Sequence, residues 1–288
     1  MTTFRGLRAA AAAATLVLLG ACAQPVAADE SVAGSPPVSD GDALVLRVRQ
    51  TGGFVGPDAL AGRLPEVSVY ADGRMIFNGP TTAIYPGPAL PNVLVRSLSA
   101  EQVTQLTRQA VTAGVRPGTD FGQPGVADAT TTEVTVVTDA GEQTAGANAL
   151  REALPDDPAL TAVQKQARTK LIGFLDELDK LTSGTGAQPY RPETLAAVVR
   201  PYVDNTDALP GRPAAMPWPG PALPGEPLAE AQKLGCVTMT GEQRDAVLAA
   251  TKEANASTPW SSGGNGWTVT LRPLLPDETG CADLKAAR

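Results

Sequence analysis

Apolar and polar side chains alternate through residues 43–50, with Leu44, Leu46 and Val48 on one side and Val45, Arg47 and Arg49 on the other. A period of two predicts a half-buried strand, and Gly52-Gly53 ends it. Val67, Val69 and Ala71 repeat the alternation before Asp72-Gly73, and Met75 and Phe77 resume it, which predicts a hairpin: Asp-Gly suits the tight turn whose twist matches its strands. Residues 81–85 and 92–96 read as two further short strands around Pro86-Gly87-Pro88. A second hairpin is predicted over 132–138 and 142–147, turning at Asp139-Ala140-Gly141.

Between the hairpins the apolar spacing becomes helical. Ser99 is placed to cap a helix and Gln102 to reach back to it, while Val103, Leu106, Ala110 and Ala113 share a face that stops at Gly114. A longer helix is predicted over 158–182, with Asp157 as cap and Pro158 at the first helical position. Its stripe is Leu160, Val163, Ala167, Leu171, Phe174, Leu178 and Leu181, and this stripe is expected to lie across the protein's own sheet. Residues 194–203 read as a strand that Pro201 either breaks or demotes to an edge. The proline-rich stretch 209–227, which contains Trp218, reads as a linker packed over the surface.

After that stretch the order of the first half recurs. Met239-Thr240-Gly241-Glu242-Gln243 echoes Leu98-Ser99-Ala100-Glu101-Gln102, a helix with Val247, Ala250 and Ala254 inward follows, and residues 267–272 alternate as a strand. The expected class is therefore α+β: short antiparallel strands and hairpins with two or three amphipathic helices, and a duplicated strand-helix-strand unit left open. The expected divisions are a leader (1–21), a tether (22–42), an α+β domain (43–183), a strand with its proline-rich linker (184–228) and a smaller α+β unit (229–288).

The leader is read from its own pattern. Arg5 and Arg8 precede an apolar run over 9–19 that is short for a membrane span, and Leu19-Gly20-Ala21-Cys22 follows. This stretch resembles a bacterial lipoprotein signal, with Gly20 where that family more often has Ala, Ser, Thr or Val. The resemblance implies cleavage before Cys22, lipidation of Cys22, and an extracytoplasmic protein held on the cell membrane. Residues 23–42, rich in Ala, Ser, Pro and Gly, suit a tether.

Charge and cysteine usage narrow the partners. The formal charge of −7 becomes −9 when residues 1–21 are removed, and there is no basic run, so nucleic acid is excluded as a partner. With Cys22 set aside, Cys236 and Cys281 are expected to pair, as befits an oxidising compartment. Without any histidine in the sequence, two cysteines make a poor zinc site. The same lack removes Ser-His-Asp and Cys-His catalysis and histidine general bases, leaving carboxylate chemistry as the enzymatic route. Asp156-Asp157 and the acids over 176–179 read as capping or solvated groups, and the glycine-rich residues 262–266 as a turn that lacks the lysine of a phosphate loop. No cofactor or metal is expected.

Gly52-Gly53-Phe54 is the candidate binding element, because two glycines after a strand permit a bulge or tight turn that pushes Phe54 outward; of the two placements, a core position for Phe54 is the favoured expectation. The order strand, Gly-Gly-Phe, hairpin, capped helix, hairpin and long helix over 43–182 resembles the emfourin-type inhibitors of thermolysin-like metalloproteases. Residues 65–74, with Pro65, Tyr70 and Asp72-Gly73, are also similar to secreted actinobacterial lipoproteins of uncharacterised function, as are the richness in Ala, Gly, Pro and Arg and the three isoleucines. The absence of a catalytic constellation, together with the Gly-Gly-Phe resemblance and the lipoprotein-like leader, leads to the expectation of a non-enzymatic, lipid-anchored binding protein with an extracytoplasmic protein partner. Two alternatives stand beside it: a solute- or lipid-binding lipoprotein with an apolar cavity under the long helix, and a carboxylate-based hydrolase.

Overall fold

The computed structural model describes residues 40–203 and 214–286, so Cys22 and the leader lie outside the described residues. Among those residues the chain forms five α-helices and thirteen strands in two sheets, an α+β fold. The first sheet uses β1 (Leu44–Gly52), β2 (Val67–Tyr70), β3 (Arg74–Asn78), β4 (Val93–Ser97), β5 (Thr130–Thr138), β6 (Gly141–Asn148) and β7 (Gln188–Pro189). Their spatial order is β6-β5-β1-β2-β3-β4-β7, antiparallel throughout.

Register explains why this sheet has two unlike faces. Ala145, Val134, Val48, Val67 and Phe77 stand side by side across five strands and are all buried. One residue along, the opposite face carries Thr144, Thr135, Arg47, Ser68 and Ile76. A strand's period of two makes the first row a core wall and the second a surface for polar contacts. Against the apolar wall lie α2 (Ala100–Thr112), through Leu106 and Ala110, and α3 (Ala162–Ser183), through Leu171, Phe174, Leu175 and Leu178.

Both helices begin with reciprocal caps, in which a side-chain oxygen and a glutamine each take an orphan backbone donor: Ser99 with Gln102, and Thr161 with Gln164. The second box corrects the expected start of α3 at Pro158. Asp157 caps a preceding turn instead, accepting from Ala159 N at 2.8 Å and Gly125 N at 3.3 Å, and Val163, expected inward, is 74% exposed. Residues 81–85 form no strand, because β3 pairs directly with β4 and leaves no edge for them.

The second sheet, β10-β11-β8-β13-β12-β9, contains β8 (Leu195–Pro201), β9 (Met216–Pro217), β10 (Glu226–Ala229), β11 (Leu234–Met239), β12 (Trp260–Ser262) and β13 (Asn265–Pro273). Residues 184–228 thus supply four strands, one to the first sheet and three to the second. The strand expected at an edge is β8, which is central. Pro201 is tolerated because β11 pairs with β8 only over Leu195–Val199, so no strand on that side calls for the missing N–H. Trp218, in the expected surface linker, is buried and meets Trp260 edge-on at 5.4 Å between ring centres.

One face of this sheet buries Val247 of α4 (Gly241–Ala250), and the other packs α1 (Pro57–Gly62) and α5 (Cys281–Ala286) through Ala61 and Leu284. The sequence echo of α2 in α4 does not extend to the cap, since Thr240 makes no side-chain cap bond. The connections differ too: α2 joins the parallel strands β4 and β5 across three intervening strands, whereas α4 leads from β11 to β12, which run antiparallel with β8 and β13 between them. Both sheets belong to a single compact unit. No helix among the described residues is long and apolar enough to cross a membrane.

Cys236 of β11 and Cys281 of α5 form a disulfide that closes a separation of 45 residues. Loop-closure entropy puts its contribution at about 4 kcal/mol. Cys236→Ser/Cys281→Ser is therefore expected to lower unfolding stability by up to about 4 kcal/mol in a denaturant titration, with secondary structure retained by circular dichroism.

Candidate functional site

Gly52 and Gly53 end β1 with φ of 65° and 84°, a left-handed backbone that side chains resist. A Cβ on Gly53 would lie 2.8 Å from Thr130 Cγ2, so the close approach of β5 also demands glycine there. These two residues turn the chain outward: Phe54 is 89% exposed and Val55 45%. The expectation that Phe54 enters the core is thus overturned. The pleat that buries Leu46 and Val48 is interrupted by two left-handed residues, and the alternation no longer dictates where the next side chain points.

Both ends of this loop are held. On the near side Arg63 donates through Nη1 to the carbonyls of Gln50 and Gly52, at 3.2 and 3.0 Å. On the far side α1 lies against the second sheet: Asp58 pairs with Arg200 at 2.8 Å, Ala61 is buried, and a Cβ on Gly62 would sit 2.5 Å from Thr270 Cγ2. Phe54 therefore projects from a short connection between two anchored elements.

Beneath the loop, on the polar face of the first sheet, is a cavity of about 200 Å³ where arginines and carboxylates meet. Arg47 donates to Ser68 Oγ at 3.0 Å, to the Tyr70 hydroxyl at 3.2 Å and to Asp277 Oδ1 at 2.8 Å, and the Tyr70 hydroxyl donates to the same oxygen at 2.8 Å. Arg272, 1% exposed, makes a two-pronged pair with Glu278 at 2.5 and 2.6 Å, and Glu278 also accepts from Leu275 N at 2.8 Å. Arg49 pairs with Glu133 at 2.6 Å. On the helix side a larger cleft of about 530 Å³ has Val48, Val67, Leu175 and Leu178 for a floor and Glu66, Arg151, Glu152 and Asp179 among its rim. Gln50 lines both hollows.

Sequence reasoning found the loop and missed the arginines. Arg47 and Arg49 sit on the face it read as solvent-facing, and nothing local announces that the carboxylates at 277 and 278 return to cover them. Gly52 is tied to this cluster through Arg63, while Gly52, Gly53 and Phe54 are not among the residues that line the cavity. Cys281 opens the helix whose Asp283 also lines the cavity. Asp176 and Asp179 both pair with Arg151 in solvent, at 2.9 and 3.1 Å, with side chains half or more exposed. Residues 262–266 make the β12–β13 turn. Among the described residues no group of three or more Cys, Asp or Glu is placed to hold a metal ion. No family model, curated protein or solved structure matches the chain.

Burial lowers the affinity of Arg47 for its proton, but the hydrogen bond and charge of Asp277 outweigh it and the guanidinium stays more basic than usual. For Tyr70 burial comes first and raises the phenol, Asp277 adds to it, and Arg47 opposes, leaving the hydroxyl much harder to ionise than usual. An unfolded tyrosine ionises near its ordinary value of 10.0. The contribution of Tyr70 is then intact below that pH and declines as pH rises past it, because the unfolded chain releases a proton that the folded one retains. Tyr70→Phe is expected to flatten the alkaline fall in stability measured by denaturant titration at stepped pH. Asp277→Ala, which strands Arg47, is expected to cost about 3 kcal/mol at neutral pH in the same assay.

Proposed function

We propose that the protein is a non-enzymatic, lipid-anchored extracytoplasmic binding protein that offers the Gly52-Gly53-Phe54 loop to a protein partner. The observation that carries this reading is the 89% exposure of Phe54 on a loop anchored at both ends. A large aromatic left in water costs roughly 1.5–3 kcal/mol of unrealised burial, which a partner's apolar socket would recover. Anchoring lowers the entropy of ordering the loop on contact. The Gly-Gly-Phe tripeptide and the strand and helix order support the sharpest version, inhibition of a thermolysin-like metalloprotease by an inserted Phe54.

Cys22 would carry the lipid, with residues 22–42 as the spacer, and buried methylenes at about 0.8 kcal/mol each would hold the protein on the membrane. The lack of histidine supports a binding role over an imidazole-dependent reaction.

A second reading, that of a solute-binding lipoprotein, is favoured by the cleft of about 530 Å³ beside α3. Its rim of Glu66, Arg151, Glu152 and Asp179 suits a polar solute better than an acyl chain, and the space directly under α3 is filled by Leu171, Phe174 and Leu178.

Phe54→Ala is expected to weaken inhibition of a thermolysin-like protease, or capture of the partner from envelope extract, by at least about tenfold, with the melting temperature unchanged. Equal inhibition or capture by the two proteins rules the loop out. Cys22→Ala is expected to move the protein from the membrane fraction to the soluble fraction without changing its fold. Native mass spectrometry of protein from its own host separates the readings, because a stoichiometric small molecule belongs to the second alone.

A further inference from the structure

The cavity beneath the loop is lined by four arginines, Arg47, Arg49, Arg63 and Arg272, and by Asp277, Glu278 and Asp283. Partners are unevenly shared among them. Asp277 is taken by Arg47 and Tyr70, and Glu278 by both prongs of Arg272 and by Leu275 N. Asp283 accepts from Thr279 N, Thr279 Oγ1 and Gly280 N at 2.7, 3.2 and 3.0 Å. Arg49 has Glu133. Arg63 has no carboxylate among the described residues; its bonds are those to the carbonyls of Gln50 and Gly52.

A second observation concerns Arg272. This side chain is 1% exposed, yet its Nε donor has no hydrogen-bond partner among the described residues. A buried donor left unmade costs about 1–3 kcal/mol, more on a charged group, and arginine forks are shaped to hold planar oxyanions through two parallel bonds.

We propose that this cavity is a binding site for a small carboxylate, held by the free prongs of Arg63, with Arg49, which lines the same cavity, adding positive charge. Size and charge both limit the ligand. A space of about 200 Å³ admits a few heavy atoms and excludes a sugar chain or a lipid tail. With Glu133 counted, the four guanidinium groups face four carboxylates, so the surroundings are nearly balanced and favour a singly charged anion over a phosphate dianion. The carboxylate has two available sources, a free organic acid or the end of a peptide chain. The site stands apart from the Phe54 reading, since nothing in it requires the loop to engage a partner.

Isothermal titration calorimetry at constant ionic strength tests it, using the full chain with its disulfide intact. The probes are propionate, N-acetyl-glycylglycine, the amide of that dipeptide, and inorganic phosphate. Saturable binding of propionate or of the peptide acid, with none by the amide, is the expected result. The tighter of the two acids identifies the source. Arg63→Met is expected to weaken that binding by about tenfold or more, the worth of a charge-assisted fork. Arg49→Met, which leaves Arg63 and the loop carbonyls in place, is the second variant should Arg63→Met unfold. Lack of saturation by either acid, equal binding of the amide, preferential binding of phosphate, or full affinity in both variants overturns the proposal.

Discussion

Two carboxylates, Asp277 and Glu278, decide how the two sheets share one body. Arg47 stands on the face of the first sheet that does not pack against α2 and α3, and Arg272, the last residue but one of the long β13 of the second, is almost wholly out of water. Neither guanidinium survives burial without an anion within hydrogen-bond reach. The segment after β13 supplies both anions within a single turn and seats Leu275 against Tyr70, Ile76 and Val93. Tyr190 fastens the same segment by donating to Leu274 O at 2.8 Å. Polar pairing and apolar contact therefore act through the same few residues.

This arrangement explains which parts of the fold were legible in the sequence. Strand β1, the two hairpins, the capped α2 and the Cys236–Cys281 pair each follow from signals within a few residues or from simple cysteine pairing, and all are present. What escaped depends on neighbours far along the chain. Pro201 argues locally against a central strand, and only the short reach of β11 admits it. The start of α3 was displaced because two capping signals lie four residues apart, and the Thr161 box satisfies two backbone donors. Phe54 escapes the pattern because alternation carries no information past a pair of left-handed glycines.

The candidate site shows the same division. Its exposed part, Gly52-Gly53-Phe54, was visible as a tripeptide after a strand. Its buried part was not, since Arg47 and Arg49 have the spacing of any solvent-facing pair. The signal that could have found them is quantitative: arginine on alternate positions of a strand otherwise rich in leucine and valine must be matched by acids somewhere, and an acidic pair in a short proline-flanked segment is the natural place to look. Arg63 joins the two parts, supporting the loop from below while bordering the cavity.

The pairing of Arg47 with Asp277 spans 230 positions in the sequence. A ribosome adds about 5–20 residues each second, so the arginine waits roughly ten seconds or more for its acid to be made. During that interval the apolar wall of the first sheet can already close over α2 and α3, but its polar face has nothing to cover it. Biosynthesis thus imposes an order: the helix-covered half can mature early, and the loop that carries Phe54 gains its second support only after the strands of the second sheet have emerged. A chain shortened by its last dozen residues would leave the first sheet's helices in place and Arg47 without its acid.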